Sequence, residues 1–389
     1  MMVIHPAFTL SYKDLYEGLM TRVAEDYINC KEQGSLRLFN YTPQTTFEKK
    51  WDLFTKSARG LVLNTSLEKV ECIGFPKFFN HGENPDDLRD LPFTITTKCD
   101  GSLGLCFFNR EVGDWRFVTR GSFDSDQSRE AQVIFDNYIE HLGQTCRPGN
   151  LDPNICYLFE IIFPANRIVL NYGQDRRLIL LGAYNRETGE ELNIWEDKFP
   201  FTVTDATCQD KVSPLYFPST DHILEEMSKP YDNREGYIIR YEDGTRIKFK
   251  FDDYCRLHKT ISRITPIGVY ELILADQDKA ALVEIPEEFR VDFERIRDII
   301  LDQMTDIFDR AINFYNPNQF LSRKEYAILA KEIFGQSPEF GVAMSIYLGA
   351  SLSDVRKQIL KRLRPKGNFL QGYTPTNSMN RFIAIEREE

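Results

Sequence analysis

Apolar positions between residues 35 and 251 fall in short runs broken by turn residues, which is the texture of β-strands. LRLFNY (36–41), GLVLN (60–64), KVECIGF (69–75), FTITT (93–97), LGLCFF (103–108), WRFVTR (115–120), YLFEIIF (157–163) and RLILLGAY (177–184) each predict a strand. GYIIRYEDGTRIKFKF (236–251) predicts a hairpin in which Asp243-Gly244 takes the positive-φ positions of a tight turn. One stretch, SREAQVIFDNYIEHL (128–142), carries apolar residues at helical spacing instead.

After residue 255 the period changes. Positions 289, 293, 296, 300, 304, 307 and 311 are apolar, the stripe of a long amphipathic helix. RKEYAILAKEIF, FGVAMSIYLG and LSDVRKQILKRLR predict further helices, while NFLQGYTPTNSMNRFIAIEREE lacks a period and reads as an arm or loose tail. The expected fold class is therefore α+β, with an antiparallel-rich domain over residues 1–258 and a small all-helical domain over 259–389.

Several polar residues break these patterns. TTKCDGSLG places Lys98 at the end of a strand and just before Asp100-Gly101, although a Lys-x-Asp-Gly pattern alone is equally an ordinary turn. Glu160 sits inside the apolar run YLFEIIF, where a carboxylate without partners would cost several kcal/mol. Glu235 precedes one strand of the 236–251 hairpin, and Lys248 and Lys250 share one face of the other. Solvent is the plain candidate for that face, since edge strands often carry lysine; an anion such as a triphosphate is the sharper one. Arg59 opens RGLVLN with a donor fork suited to phosphate or carboxylate.

Charge narrows the choice of partner. With 48 basic and 59 acidic residues the chain carries −11, so its overall field repels nucleic acid, and any such partner needs a local basic groove. VRKQILKRLRPKG supplies six basic and no acidic residues between 356 and 366, a candidate RNA-backbone contact or simply a solvated helix face. The eight cysteines show no metal-ligand spacing, which suits reduced thiols in a cytoplasmic protein. No stretch reads as an export signal or a membrane span, and no GxxxxGK[ST] phosphate loop is present.

KCDG, EIIFPANRIVL, EGYIIR and IKFKF stand in the order and spacing of the motifs of covalent nucleotidyltransferases. With SARGLVLN and GFPKFFNHGENP upstream and FGVAMSIYLG downstream, the chain resembles the phage-type RNA ligase 1 family, whose relatives include the ligase domain of fungal tRNA ligase. The resemblance implies a nucleotidyltransferase domain of the ATP-grasp-like ligase type. It also implies an ATP-dependent joining of 5′-phosphate and 3′-hydroxyl RNA ends, through a lysyl-AMP and an adenylylated RNA. Lys98 is then the nucleophile and Asp100-Gly101 its support, with Glu160 at the ribose and Glu235 near the α-phosphate or a metal-bound water. Tyr41 would lie at the nucleotide, and Arg59, Lys77, Arg120, Lys248 and Lys250 along the phosphates, where they would also help free the Lys98 amine. Arg120 stands where the phage enzyme has lysine.

Magnesium, or manganese in its place, would be held by Glu235 and Asp278, with Asp276 a further candidate. Expected surroundings are RNA or tRNA repair, a separate end-healing kinase-phosphatase, no membrane, a monomeric enzyme, and the host cytoplasm if a phage encodes it. A DNA ligase or capping enzyme is the rival reading, but those carry a β-rich OB-fold after the last motif, where this pattern is helical. A non-catalytic RNA-end-binding protein is the other rival, and it would be expected to lose Lys98, Glu160 or Glu235.

Overall fold

A computed structural model describes residues 2–83, 88–145, 151–195, 214–215, 219–229, 234–285, 287–367 and 369–374. The chain divides into two units, Met1–Cys255 and Arg256–Glu389. The predicted tail falls largely outside the described residues.

Three sheets build the first unit. One is antiparallel and runs β1 (Ile28–Gln33), β2 (Leu36–Tyr41), β3 (Arg59–Asn64), β4 (Lys69–Cys72). A second is ordered β11 (Glu191–Leu192), β10 (Arg177–Asn185), β9 (Ile155–Ile162), β7 (Ser102–Asn109), β8 (Asp114–Thr119). β12 (Pro214–Leu215), β6 (Phe93–Lys98), β13 (Gly236–Tyr241), β14 (Arg246–Lys250) and β5 (Phe79–Asn80) form the third, in that order. β9 is buried almost throughout because both its faces are covered: Tyr157, Phe159 and Ile161 pack in one core cluster with Ala131 and Phe135, and Cys156 and Leu158 in another with Val62 and Cys72, which is why YLFEIIF reads as one apolar run. Leu105, Phe107, Leu158 and Tyr184 of the second sheet pack with Val62 and Cys72 of the first. β14 alternates instead: Ile247 and Phe249 are buried while Arg246, Lys248 and Lys250 are half-exposed.

Helices α1 (Tyr12–Ala24), α2 (Pro43–Phe47), α3 (Leu53–Ser57), α4 (Asp126–Thr145) and α5 (Thr220–Met227) complete this unit, and α6 (Asp252–Ser262) begins in it. α1 and the polar edge strand β1 lie before the region where the pattern spoke clearly; only Leu15 and Leu19 of α1 are fully buried. The 236–251 hairpin departs from its expected turn. β13 and β14 close at Arg240↔Arg246, and of the loop residues 241–245 only Gly244 has positive φ (+85°), while Asp243 accepts from the Thr245 N–H at 2.9 Å. A five-residue loop needs only one left-handed position, whereas a two-residue turn of type I′ needs two.

Every named element lying wholly in the second unit is a helix: α7 (Pro266–Leu274), α8 (Asp278–Glu284), α9 (Glu287–Asn318), α10 (Arg323–Phe334), α11 (Pro338–Tyr347) and α12 (Leu352–Arg362). Ala311 and Phe314 of α9 pack with Tyr326, Val342, Val355 and Ile359 into one core. A Ser322–Glu325 capping box starts α10, and Ser351 caps α12. Among the described residues no helix is long and apolar enough to cross a membrane.

Candidate active site

β6 ends at Lys98, and its antiparallel neighbour β13 begins at Gly236, directly opposite. Gly236 also pairs with Lys250 of β14, so Glu235, one residue earlier, comes between two lysines. Lys98 Nζ donates to Glu235 Oε2 at 2.6 Å, and Lys250 Nζ lies 2.8 Å from Oε1. Glu235 is 2% exposed, and the two lysines pair with both oxygens of this buried carboxylate. Gly236 allows this approach, because a Cβ there would collide with the Phe249 carbonyl.

The Asp100-Gly101 turn is clamped from several sides. Asp100 Oδ2 accepts from the Val169 and Leu170 N–H groups, each at 2.8 Å, and Oδ1 accepts from the Tyr254 hydroxyl at 2.7 Å. The Asp100 N–H in turn donates to the Tyr172 hydroxyl at 3.0 Å. Gly101 N–H donates to Glu160 Oε1 at 2.8 Å, and a Cβ on Gly101 would lie 2.5 Å from the Ile161 carbonyl oxygen. The turn thus has an anchor in the segment after β9, another in α6, and a third in Glu160 itself. Tyr172 and Tyr254 escape a motif reading because nothing local ties either of them to Asp100.

Arg59, Lys98, Glu160, Lys248 and Lys250 line a cavity of about 300 Å³, with Phe78 among its apolar walls. Burial, followed by the neighbouring Arg59, Lys77, Lys98 and Lys250 charges, pushes the Lys248 pKa down to about 6. Burial likewise lowers Arg59, whose buried Nη1 has no hydrogen-bond partner. Burial raises Glu160 to about 7, with the Lys98 charge opposing the shift and Glu235 reinforcing it. The walls therefore hold an Arg59 donor without a partner and a Lys248 amine that an anion would recharge, which suits a polyanion.

Lys98 behaves differently from the expectation that surrounding cations would free its amine. Burial lowers its pKa, but the Glu235 and Glu160 carboxylates outweigh burial and hold it above the ordinary lysine value. A carboxylate at 2.6 Å dominates cations that lie farther off. The cation field acts on Lys248 instead. Cys99 also lines the cavity; burial and Glu160 push its thiol up to about 12, so it stays protonated.

Tyr41, Arg120 and Lys77 are gathered beside this cavity without being among its lining residues. Arg120 Nη1 donates to the Tyr41 hydroxyl at 3.3 Å and lies over the same ring. Lys77 Nζ is 4.8 Å from the Phe79 ring centre, 5.1 Å from that of Trp51 and 5.9 Å from that of Tyr41. Lys77 faces a second, larger cavity.

Asp276 and Asp278 belong to the second unit. Asp276 pairs with Arg356 at 3.0 Å, and Asp278 opens α8 with 9% exposure. Arg356 also donates to the Ile273 carbonyl, which removes it from the free basic set, whereas Lys357, Lys361, Arg362, Arg364 and Lys366 are exposed. Among the described residues no group of three or more His, Cys, Asp or Glu forms a metal cage. Both Glu235 oxygens already face lysines, so a metal there would compete with them.

A lysine amine at a strand end, over a cation-lined cavity, is the kind of site a nucleotidyltransferase requires. Residues 57–254 match the RNA ligase family model, more than half of the chain, and the protein belongs to that family of nucleotidyltransferase enzymes. An RNA ligase of Rhodothermus phage RM378 is 22% identical over 80% of this chain and 86% of its own length. A "Putative RNA ligase" of Thermovibrio ammonificans is 23% identical over 56% of this chain and 57% of its own. Among solved structures, an archaeal ATP-dependent RNA ligase aligns with 77% of this chain and 83% of its own at 14% identity, with a TM-score of 0.45.

Proposed function

We propose that this RNA ligase uses ATP to seal 5′-phosphate and 3′-hydroxyl RNA ends, with Lys98 as the nucleophile. The observation that carries the reading is the pairing of half-buried Lys98 and Lys250 with the buried Glu235, beside a cavity that both lysines line and that holds an unpartnered Arg59 donor. Lys98 Nζ attacks the α-phosphorus of ATP, a P–N bond forms, and pyrophosphate leaves. The ammonium must first lose a proton, and Glu235 Oε2 is placed to receive it. Arg59, Lys248 and Lys250 would neutralise the phosphates, and Tyr41 and Arg120 would adjoin the nucleotide. Glu160, its carboxyl pushed up to about 7 by burial, would meet the ribose.

A hard divalent cation such as magnesium fits a site of this kind, because it takes one or two protein oxygens and the remainder from phosphate and water. Glu235, once released by Lys98, is a carboxylate of the first unit that would hold it. Such a metal would supply charge neutralisation on the phosphates. Sealing of a 5′-phosphorylated single-stranded RNA, measured beside nicked DNA, tests the substrate class. We expect RNA to be joined at least about tenfold faster, a difference of roughly 1.4 kcal/mol. Preference for the nick would overturn the reading.

Lys248 gives the site a pH signature. Its folded pKa of about 6 lies below the ordinary 10.5, so the unfolded chain binds more protons between those values. Lys248→Met is therefore expected to stabilise the free protein, most at pH 6 and progressively less as pH rises toward 10. A bound triphosphate restores the Lys248 charge, so binding of an unreactive ATP analogue at pH 8 should take up about one proton. Calorimetry in buffers of differing ionisation enthalpy reads this directly. Equal heats in all buffers would contradict it, as would an uptake unchanged in Lys248→Met.

A further inference from the structure

The second cavity, of about 800 Å³, includes Trp51, Lys56, Lys77, Phe79, Arg89 and Arg246 in its lining. Three carboxylates also reach its wall, and each is already paired within the fold. Asp52 is held by Arg22 at 2.6 Å, Asp243 by Arg89 at 2.5 Å, and Glu191 by Arg246 at 2.5 Å and Arg240 at 2.6 Å. Lys56 and Lys77 have no ion-pair partner among the described residues. The charge left unbalanced on this wall is therefore positive, in a chain whose net charge is −11. Beside the two lysines stand the indole of Trp51 and the ring of Phe79, 5.5 Å apart in an edge-to-face pair. Aromatic rings interleaved with lysine suit a nucleotide of a single strand, whose base stacks while its phosphate is neutralised. The cavity shares Phe78, Asn80 and Arg246 with the one that holds Lys98.

The stereochemistry of the reaction says which end of the RNA arrives here. In-line displacement puts the entering and leaving groups on opposite sides of phosphorus. Lys98 enters opposite pyrophosphate, and in the next step it leaves opposite the incoming group. A 5′-phosphate oxygen then forms a P–O bond to the adenylate phosphorus while the P–N bond to Lys98 Nζ breaks and the amine takes up a proton. The 5′-phosphate must therefore arrive from the side that pyrophosphate vacated, the side on which Lys77 stands if it lies along the phosphates.

Resting on the RNA-ligase reading above, we propose that the second cavity seats the 5′-terminal nucleotide of the RNA strand being activated. The base lies against Trp51 and Phe79, and Lys56 contacts the strand's phosphate. Lys56 is the diagnostic residue because it borders this cavity and not the one that holds Lys98, and lies in α3 with a half-buried side chain whose removal leaves no buried group unpaired among the described residues.

The test uses full-length enzyme labelled with ATP carrying a tracer on its α-phosphate, freed of excess nucleotide, then mixed with limiting 5′-phosphorylated single-stranded RNA. Lys56→Ala should form the enzyme adduct at the wild-type rate yet transfer AMP to RNA about tenfold more slowly, the effect of losing one charge-assisted phosphate contact. Its salt dependence should be shallower by about 0.7 in the logarithmic slope, the share of one phosphate on a single strand. Lys56→Glu should be slower still. Transfer as fast as wild type in both variants overturns the inference, and so does loss of adduct formation, which would place Lys56 in the nucleotide step. Failure of the wild-type protein to form an adduct would instead overturn the ATP-dependent reading on which this rests.

Discussion

Lys98→Ala is expected to abolish the covalent adduct that forms with ATP labelled on its α-phosphate, with residual labelling about a thousandfold or more below wild type, because no other group replaces the nucleophile. The informative companion is Lys98→Arg. Arginine keeps the ion pair to Glu235 but does not give up its proton, so it should fold like wild type and still form no adduct. Alanine removes one of the two cations that balance Glu235, leaving Lys250 at 2.8 Å as the other. The alanine variant should therefore lose stability that the arginine variant retains. Thermal melts of both, beside the labelling assay, separate chemistry from folding. Labelling of either variant at the wild-type level would mean that the adduct forms elsewhere and that the assignment of Lys98 is wrong.

The second large effect concerns stability. Asp100→Ala deprives the Val169 and Leu170 N–H groups and the Tyr254 hydroxyl of their acceptor, all in a buried setting. At about 1–3 kcal/mol for each unsatisfied buried donor, a loss of roughly 3–5 kcal/mol is expected once partial rearrangement is allowed for. Asp100→Asn should recover much of it, since its carbonyl oxygen can face the two backbone donors while its amide donates to the Tyr254 oxygen. Denaturant titration of the two variants gives the comparison. A cost below about 1 kcal/mol for alanine would show that the clamp is dispensable.

Much of the chain could be read from alternation alone, because burial imposes it. LRLFNY coincides with β2, RKEYAILAKEIF coincides with α10, and the buried stripe of α12 is Val355, Ile359 and Leu360. What escaped had no periodic signal to give. β1 is a polar edge strand with one buried residue, β5 is two residues long, and α2 and α3 are single-turn pieces held by caps. In the site, local pattern marked the residues that violate apolar runs, such as Glu160, but not the partners that make the violations tolerable. Tyr254 meets Asp100 across 154 positions, and no periodicity spans such a distance. Protonation was illegible for a similar reason. Counting cations suggested that Lys98 would be the depressed amine, yet the charge state follows the nearest group, and only the register Gly236↔Lys98 places Glu235 at that distance.

The pairing of Lys98 with Glu235 also bears on how the enzyme survives in a crowded cell. An amine stored as an ammonium salt and held 2.6 Å from a carboxylate has no free lone pair. Aldehydes, cyanate and activated acyl compounds, which consume exposed lysines, would find it unreactive while the enzyme waits for nucleotide. If Lys98 is the nucleophile proposed above, chemical durability and catalytic readiness would depend on the same proton: its presence would preserve the side chain, and its departure to Glu235 would commit the amine to the bound nucleotide.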